Sequence, residues 1–553
     1  MKNGFICAVG CRYDYSYPKD IDALEKNYRE LLEKGEASEL EISLWKNDRA
    51  FGKIDVITEE NAEGALSVEV KVFETFSGKV SAKFIKNCEA HDIKVMVPDI
   101  VYNDEPVDVK GRQIVSVWVE AESLENCGAG SFTGKVIVKL GDNEEAIDVK
   151  VKVVNATFKG VSSELELWQY PYSSNRYYSG LTTEKYFEGG KEGIFRARLD
   201  PKYDEQLLTQ LRLYKANGGN CVTTTINEDP WNSQTPDPYP SMVKWTKHQD
   251  GTFSFTFEDF DRWIALNKSV GIDGPILCFS IANWANNVTY YDEALGEVVV
   301  KELSHESEEW QYIWKTFLTA LVEHCDETGV FDRVHISIDE RAFELVKAVV
   351  ELNESVKNCE GKSLKMSLAI FSLECEPLFD HFARVSCSVR MECEKVKAWA
   401  AERRKKGLVT TFYTCGAENS SLVNRPYEGF YSMLFIKKWN TDGFLRWAFD
   451  AFNAEPLESS EHRLYAAGDL YLVYPEKRGK APCTHSSVRF EMITAGLRMI
   501  EKLKIIEKEY GEEGVAGVAE ILSLVDDKID KAESLEAVLH AVNGLKALES
   551  KLL

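Results

Sequence analysis

Two hydrophobic periods divide the chain. From Phe51 to about Val154 apolar and polar residues alternate, as in Ser67–Phe73 (SVEVKVF), Ile114–Val119 (IVSVWV) and Lys135–Lys139 (KVIVK). Period two with turn residues between the runs predicts half-buried antiparallel strands, and their spacing predicts a β-sandwich. One helix is expected before it, over residues 20–33.

After Lys159 the pattern becomes apolar strands separated by long amphipathic helices. Strands are predicted at Leu165–Tyr170, Asn220–Ile226, Pro275–Ser280, Arg333–Ile338, Lys365–Phe371, Phe382–Cys387, Leu408–Tyr413 and Gly443–Phe449. Helices are predicted at Gln206–Ala216, Phe257–Ser269, Ser307–Thr328, Ala342–Asn358 and Val396–Lys405. Eight such βα units predict a (β/α)8 TIM barrel. Beyond Ser487, Val488, Ile493, Leu497, Ile500 and Leu503 recur near a 3.6 period, so a helical extension closes the chain. The expected domains are a sandwich over 1–158, a catalytic barrel over 159–485 and a helical extension over 486–553, packed on the barrel.

Composition narrows the function. A formal charge of -24 over 553 residues opposes a nucleic-acid or anionic-membrane partner. No apolar run reaches the length needed to span a bilayer. The opening segment lacks a signal-peptide pattern, and the 13 cysteines include no CxxC pair. Both point to a cytoplasmic chain with reduced thiols and no zinc site. The sequons at Asn155, Asn287, Asn353 and Asn419 matter only in a secreted eukaryotic protein. Dinucleotide, Walker, HExxH and GxSxG signatures are missing, so no cofactor or metal is expected.

Candidate chemistry centres on Asp339 and Glu340, at the end of the buried fourth strand, Val334–Ile338 (VHISI). Barrel active sites lie at the C-terminal ends of strands. Side chains alternate along a strand, so both acids reach one pocket only where the strand bends or stops. Two carboxylates sharing a poorly hydrated site separate in pKa, and one stays protonated as an acid. Sequence neighbours do not easily flank a glycosidic bond from opposite faces. They suit the substrate-assisted exception, in which a 2-acetamido oxygen attacks the anomeric carbon. The competing reading is a pair of acids favouring a helix N-terminus near Ala342.

Other strand ends add sugar-binding candidates. Trp168, Trp284 and Trp447 follow the first, third and eighth strands, and aromatic faces stack on the C–H face of a pyranose. Tyr413 ends the seventh strand, before Thr414, Cys415 and Gly416, and its phenol is placed to donate to an acetamido carbonyl. Asn283, Asn227 and His248 lie in loops as hydroxyl ligands. His335, within the fourth strand, reads as an interior residue. For each of these a packing role is the competing reading.

Five segments in order, Leu165–Pro171 (LELWQYP), Ile336–Glu340 (ISIDE), Phe444–Phe449 (FLRWAF), Gly468–Pro475 (GDLYLVYP) and Ser486–Glu491 (SSVRFE), resemble glycoside hydrolase family 123. The resemblance implies an exo-acting, retaining β-N-acetylgalactosaminidase that releases terminal GalNAc from glycans such as those of glycosphingolipids through an oxazoline. It implies Glu340 as acid and then base, Asp339 as the group orienting the acetamide, and Tyr413 as the holder of its oxygen. Trp168 and Trp447 become walls of the sugar subsite; Asp469 and Arg489 also match motif positions, and a charged pair bracing the barrel is their competing reading. The aromatic loop Trp231–Trp245 matches none of these motifs. A β-N-acetylglucosaminidase of the same mechanism and a non-catalytic glycan-binding protein remain alternatives.

Overall fold

The computed structural model describes residues 4–71, 73, 75–414, 420–527 and 534–553. Its N-terminal part supplies five strands of a seven-stranded sheet, completed by Tyr474–Pro475 and Thr484–Ser487, and stacks it on a five-stranded one. Alternation explains the packing: Ile54, Val56, Phe84, Val117 and Val119 of one sheet meet Leu40, Ile42, Val136, Val138, Val149 and Val151 of the other. Strands Phe5–Val9 and Glu39–Lys46 precede the alternating region, and helix Ile21–Glu33 lies between them.

The barrel has eight parallel strands, Glu164–Leu167, Val222–Thr225, Ile276–Phe279, Val334–Ile338, Lys365–Ile370, Arg384–Ser388, Val409–Tyr413 and Gly443–Arg446. Each overlaps a predicted run and is shorter than it, although the first starts one residue earlier, at Glu164, and the sixth ends one residue later, at Ser388. The first pairs with the eighth from Glu164 opposite Gly443 to Leu167 opposite Arg446. A parallel bridge between Leu165 and Gly219 closes the ring against the second strand's segment. Among the helices, Asp204–Ala216, Glu258–Ser269, Glu308–Thr328, Phe343–Glu354 and Cys393–Lys405 occupy the predicted places.

Two loops extend into a small sheet of their own. Hairpin strands Lys244–Lys247 and Phe253–Thr256 follow the second barrel strand, and Asn287–Asp292 with Glu297–Glu302 follow the third. Thr246 and Lys247 pair in parallel with Tyr291 and Asp292, so the two excursions form one four-stranded sheet.

The C-terminal helix Val488–Ile521 buries Val488, Ile493, Leu497, Ile500 and Leu503, and Gly511 interrupts it with φ 53° and ψ -129°. Helix Ser534–Leu552 follows. Arg489 knits the parts together: Nε donates to Oδ2 of Asp99 in the sandwich at 2.9 Å, and Nη1 donates to the Ser420 and Gly468 carbonyls at 2.7 and 2.6 Å. Asp469 bonds Arg446 instead, at 2.8 Å. The expected Asp469–Arg489 brace is therefore two separate ion pairs, because Asp99, distant in sequence, takes the guanidinium. Among the described residues no helix is long and apolar enough to cross a membrane.

Candidate active site

The fourth barrel strand stops at Ile338, which frees Asp339 and Glu340 from strand alternation. Both are half-buried. Helix Phe343–Glu354 begins later, with Ala342 at its N-cap and no side-chain capping bond. The capping reading of the two acids therefore fails.

Asp339 is fixed on both oxygens. Nε1 of Trp284 donates to Oδ2 at 3.0 Å, and the Glu340 backbone N–H donates to Oδ1 at 3.0 Å. Trp284 is set by the loop after the third strand, and the Arg341 guanidinium lies 5.0 Å from its ring centroid. Arg341 Nη2 donates in turn to Asn286 Oδ1 at 2.6 Å. Burial pushes the Asp339 carboxyl up, while the indole, the backbone N–H and the charge of Arg341 oppose that rise.

Glu340 contacts the hydroxyl of Tyr413, the last residue of the seventh strand. The same hydroxyl lies 3.1 Å from the Ile370 carbonyl, at the end of the fifth strand. A phenol carries one proton. When it donates to Ile370, the Glu340 contact needs a protonated carboxyl as donor; when Glu340 is ionised, the phenol donates to Glu340. Burial raises the Glu340 pKa, the Tyr413 hydrogen bond lowers it, and the charge on Asp339 raises it again. Both carboxyls are thus raised chiefly by burial, each with a side-chain hydrogen-bond donor opposing the rise, Trp284 for Asp339 and Tyr413 for Glu340.

The eighth strand contributes Trp447, half-buried and edge-on to Tyr465 at 5.0 Å. Tyr465 Oη donates to Gln234 Oε1 at 2.6 Å, which ties this rim to the loop after the second strand. Trp168 is buried, with Nε1 donating to Glu166 Oε1 at 3.0 Å. Trp231 and Phe279 cover it at centroid distances of 5.8 and 4.4 Å. It sits in the floor of the barrel rather than presenting a free face. The aromatic loop supplies that cover: Trp231 also meets Tyr170 and Tyr239 at 5.3 and 5.4 Å.

The remaining candidates separate from the carboxylates. Asn283 uses Nδ2 on the Asn287 carbonyl at 2.7 Å and Oδ1 on the N–H groups of Ala285 and Asn287. Asn227 likewise bonds the Asn287 carbonyl and the Thr289 N–H. Both shape the loop instead of offering groups to a ligand. His248 lies just past strand Lys244–Lys247, in the hairpin turn, with Nδ1 3.1 Å from Glu293 Oε1. His335 is buried, and burial pushes its pKa down to about 3, so it is a neutral interior residue. Cys415, Gly416 and Asn419 lie outside the described residues.

Sequence reading missed Asp450. It is 1% exposed just beyond the eighth strand, accepts the Tyr170 N–H at 2.7 Å, and is pushed up to about 7 by burial. Its only signal was an acid after the apolar run FLRWAF.

Residues 200–506 match the family model "Glycoside hydrolase 123, catalytic domain". A solved structure of a family 123 glycoside hydrolase from Clostridium perfringens, described for the details of glycolipid glycan hydrolysis, is similar at 25% identity and TM-score 0.87 over 99% of each chain. A family 20 exo-β-N-acetylglucosaminidase from Vibrio harveyi aligns at 8% identity over 69% of this chain and 82% of that one. Its TM-score is 0.23. No curated protein matches.

Proposed function

Because this chain belongs to glycoside hydrolase family 123, we propose that it is an exo-acting, retaining β-N-acetylgalactosaminidase using substrate-assisted catalysis. The observation that carries this reading is the pairing of consecutive acids with different partners: Asp339 held by Trp284, Glu340 held by Tyr413. Neighbouring carboxylates on one side of the site, each with its own hydrogen-bond partner, suit a mechanism whose nucleophile belongs to the substrate.

In the first step the 2-acetamido carbonyl oxygen bonds to the anomeric carbon as the glycosidic C–O bond breaks. Glu340 gives its proton to the departing oxygen. Asp339 accepts from the acetamide N–H and balances the positive charge of the oxazolinium. In the second step Glu340, now ionised, takes a proton from water, whose oxygen opens the oxazoline at the anomeric carbon with net retention. Tyr413 follows both states by redirecting its single proton between Ile370 and Glu340. Trp447 and Tyr465 supply an aromatic rim for the sugar.

The Clostridium perfringens relative is described as acting on glycolipid glycans; the same substrate class is proposed here. Hydrolysis of the 4-nitrophenyl β-glycosides of GalNAc, GlcNAc and galactose tests the reading. GalNAc preference with no galactose cleavage is expected. Preference for GlcNAc would change the substrate but keep the mechanism, and cleavage of galactose would refute acetamide participation.

A further inference from the structure

The chain leaving the barrel returns to the sandwich as a short hairpin. Tyr474 pairs with His485 and Pro475 with Thr484, then Ser486 and Ser487 pair with Val101 and Ile100. Cys483 and His485 are two residues apart on an extended segment and project to one face. Glu476 lies across from them, its N–H donating to the Cys483 carbonyl at 3.2 Å. The carboxylate, thiol and imidazole ligand atoms all come within 4.8 Å of one another.

His485 shows why this cluster differs from an ordinary polar contact. Nδ1 is 3.0 Å from the Tyr102 carbonyl, which can only accept, so Nδ1 carries a proton. That leaves Nε2 facing Glu476 Oε2 at 3.1 Å. A neutral imidazole presents a lone pair there, directed at a carboxylate. The contact is attractive only with a cation in it, either a proton or a metal ion. His485 is buried beneath the exposed thiol of Cys483, so the gap between them opens to solvent on one side only.

We propose that Glu476, Cys483 and His485 bind one divalent ion of the zinc class. The donor set of one oxygen, one sulfur and one nitrogen suits a borderline-soft ion. Bonds of about 2.0–2.1 Å at a tetrahedral angle put nitrogen and oxygen about 3.3 Å apart, close to the observed 3.1 Å. The Nδ1–H bond to a backbone carbonyl is the outer contact that aims a ligating imidazole. Cys483 is exposed, so the ion has an entry path and water can complete its shell. The ion would pin the hairpin of the barrel chain to the sandwich sheet, independently of glycosidase chemistry.

The full chain, stripped with a chelator, is titrated with Co2+ and then Zn2+. One equivalent should give the visible bands of tetrahedral Co2+ with a thiolate charge-transfer band, displaced by Zn2+. Cys483→Ser should abolish the charge-transfer band and weaken Zn2+ binding about tenfold or more. Glu476→Gln should weaken binding similarly but keep the band, and Cys359→Ser, at another exposed thiol, should change nothing. Aryl-glycoside hydrolysis should stay at the wild-type level in all three variants. A wild-type chain without the band, or a band that survives in Cys483→Ser, overturns the proposal.

Discussion

The indole N–H of Trp284 donates to Oδ2 of Asp339 across 3.0 Å, joining the loop after the third barrel strand to the end of the fourth. The bond orients the carboxylate and favours its ionised form. Trp284→Phe keeps the ring but removes the donor. A hydrogen bond to a charged group contributes about 1.5–3 kcal/mol, so kcat on the GalNAc aryl glycoside should fall about tenfold to a hundredfold. The acidic limb of the pH profile should move upward, since Asp339 then ionises at higher pH. A rise in KM with unchanged kcat would make Trp284 a sugar-stacking wall instead.

Tyr413→Phe tests the other half of the pair. The phenol lowers the Glu340 pKa, so its removal should raise it. Glu340 must be protonated to act as acid, and the alkaline limb of kcat/KM should therefore shift to higher pH while the maximal rate drops. An alkaline limb that stays in place would detach Tyr413 from the acid.

The two carboxylates should differ by leaving group. Glu340→Gln should nearly abolish hydrolysis of natural glycans, whose leaving groups need protonation, and spare activated aryl glycosides in part. Asp339→Asn should slow every 2-acetamido substrate, because it acts on the internal nucleophile. Wild-type activity of Glu340→Gln on a natural glycan would remove it from the acid role. An unaffected Asp339→Asn would point to a protein nucleophile elsewhere.

Asp450 predicts a pH-dependent stability. Its folded pKa is raised from 3.8 to about 7 by burial. A raised folded pKa means its favourable contribution is present below pH 3.8 and lost as pH rises through about 7. The loss is at most about 4 kcal/mol. Asp450→Asn keeps an acceptor for the Tyr170 N–H and removes the charge. Thermal unfolding should show the variant gaining on the wild type between pH 5 and pH 8. An equal difference at both values would show that ionising Asp450 carries no such cost.

Local physics made the architecture legible. Period-two alternation and its change to apolar runs between amphipathic helices are properties of short segments, so sandwich and barrel strands could be located from sequence. Strand ends were overextended, as at Leu165–Tyr170 against Glu164–Leu167, because the apolar run continues past the last ladder bond. Asp339 and Glu340 were found because a buried strand ending in two acids is visible in one dimension.

What needed the fold was every choice between partners distant along the chain. Asn227 has a side chain suited to a sugar, yet it bonds the Asn287 carbonyl that the third-strand loop brings to it; Asn283 is taken up locally, by the same carbonyl within its own loop. Trp168 resembles a stacking wall until the loop bearing Trp231 covers it. Asp99 and Arg489 meet only once the sandwich has packed on the barrel. Glu476, Cys483 and His485 converge only because a hairpin folds them to one face. The sequence by itself determined the elements and the candidate acid pair, since these follow from backbone periodicity and side-chain chemistry. The tertiary structure decided which polar groups are occupied, which aromatic faces are covered and which ligands meet, because those depend on contacts that chain closure brings together.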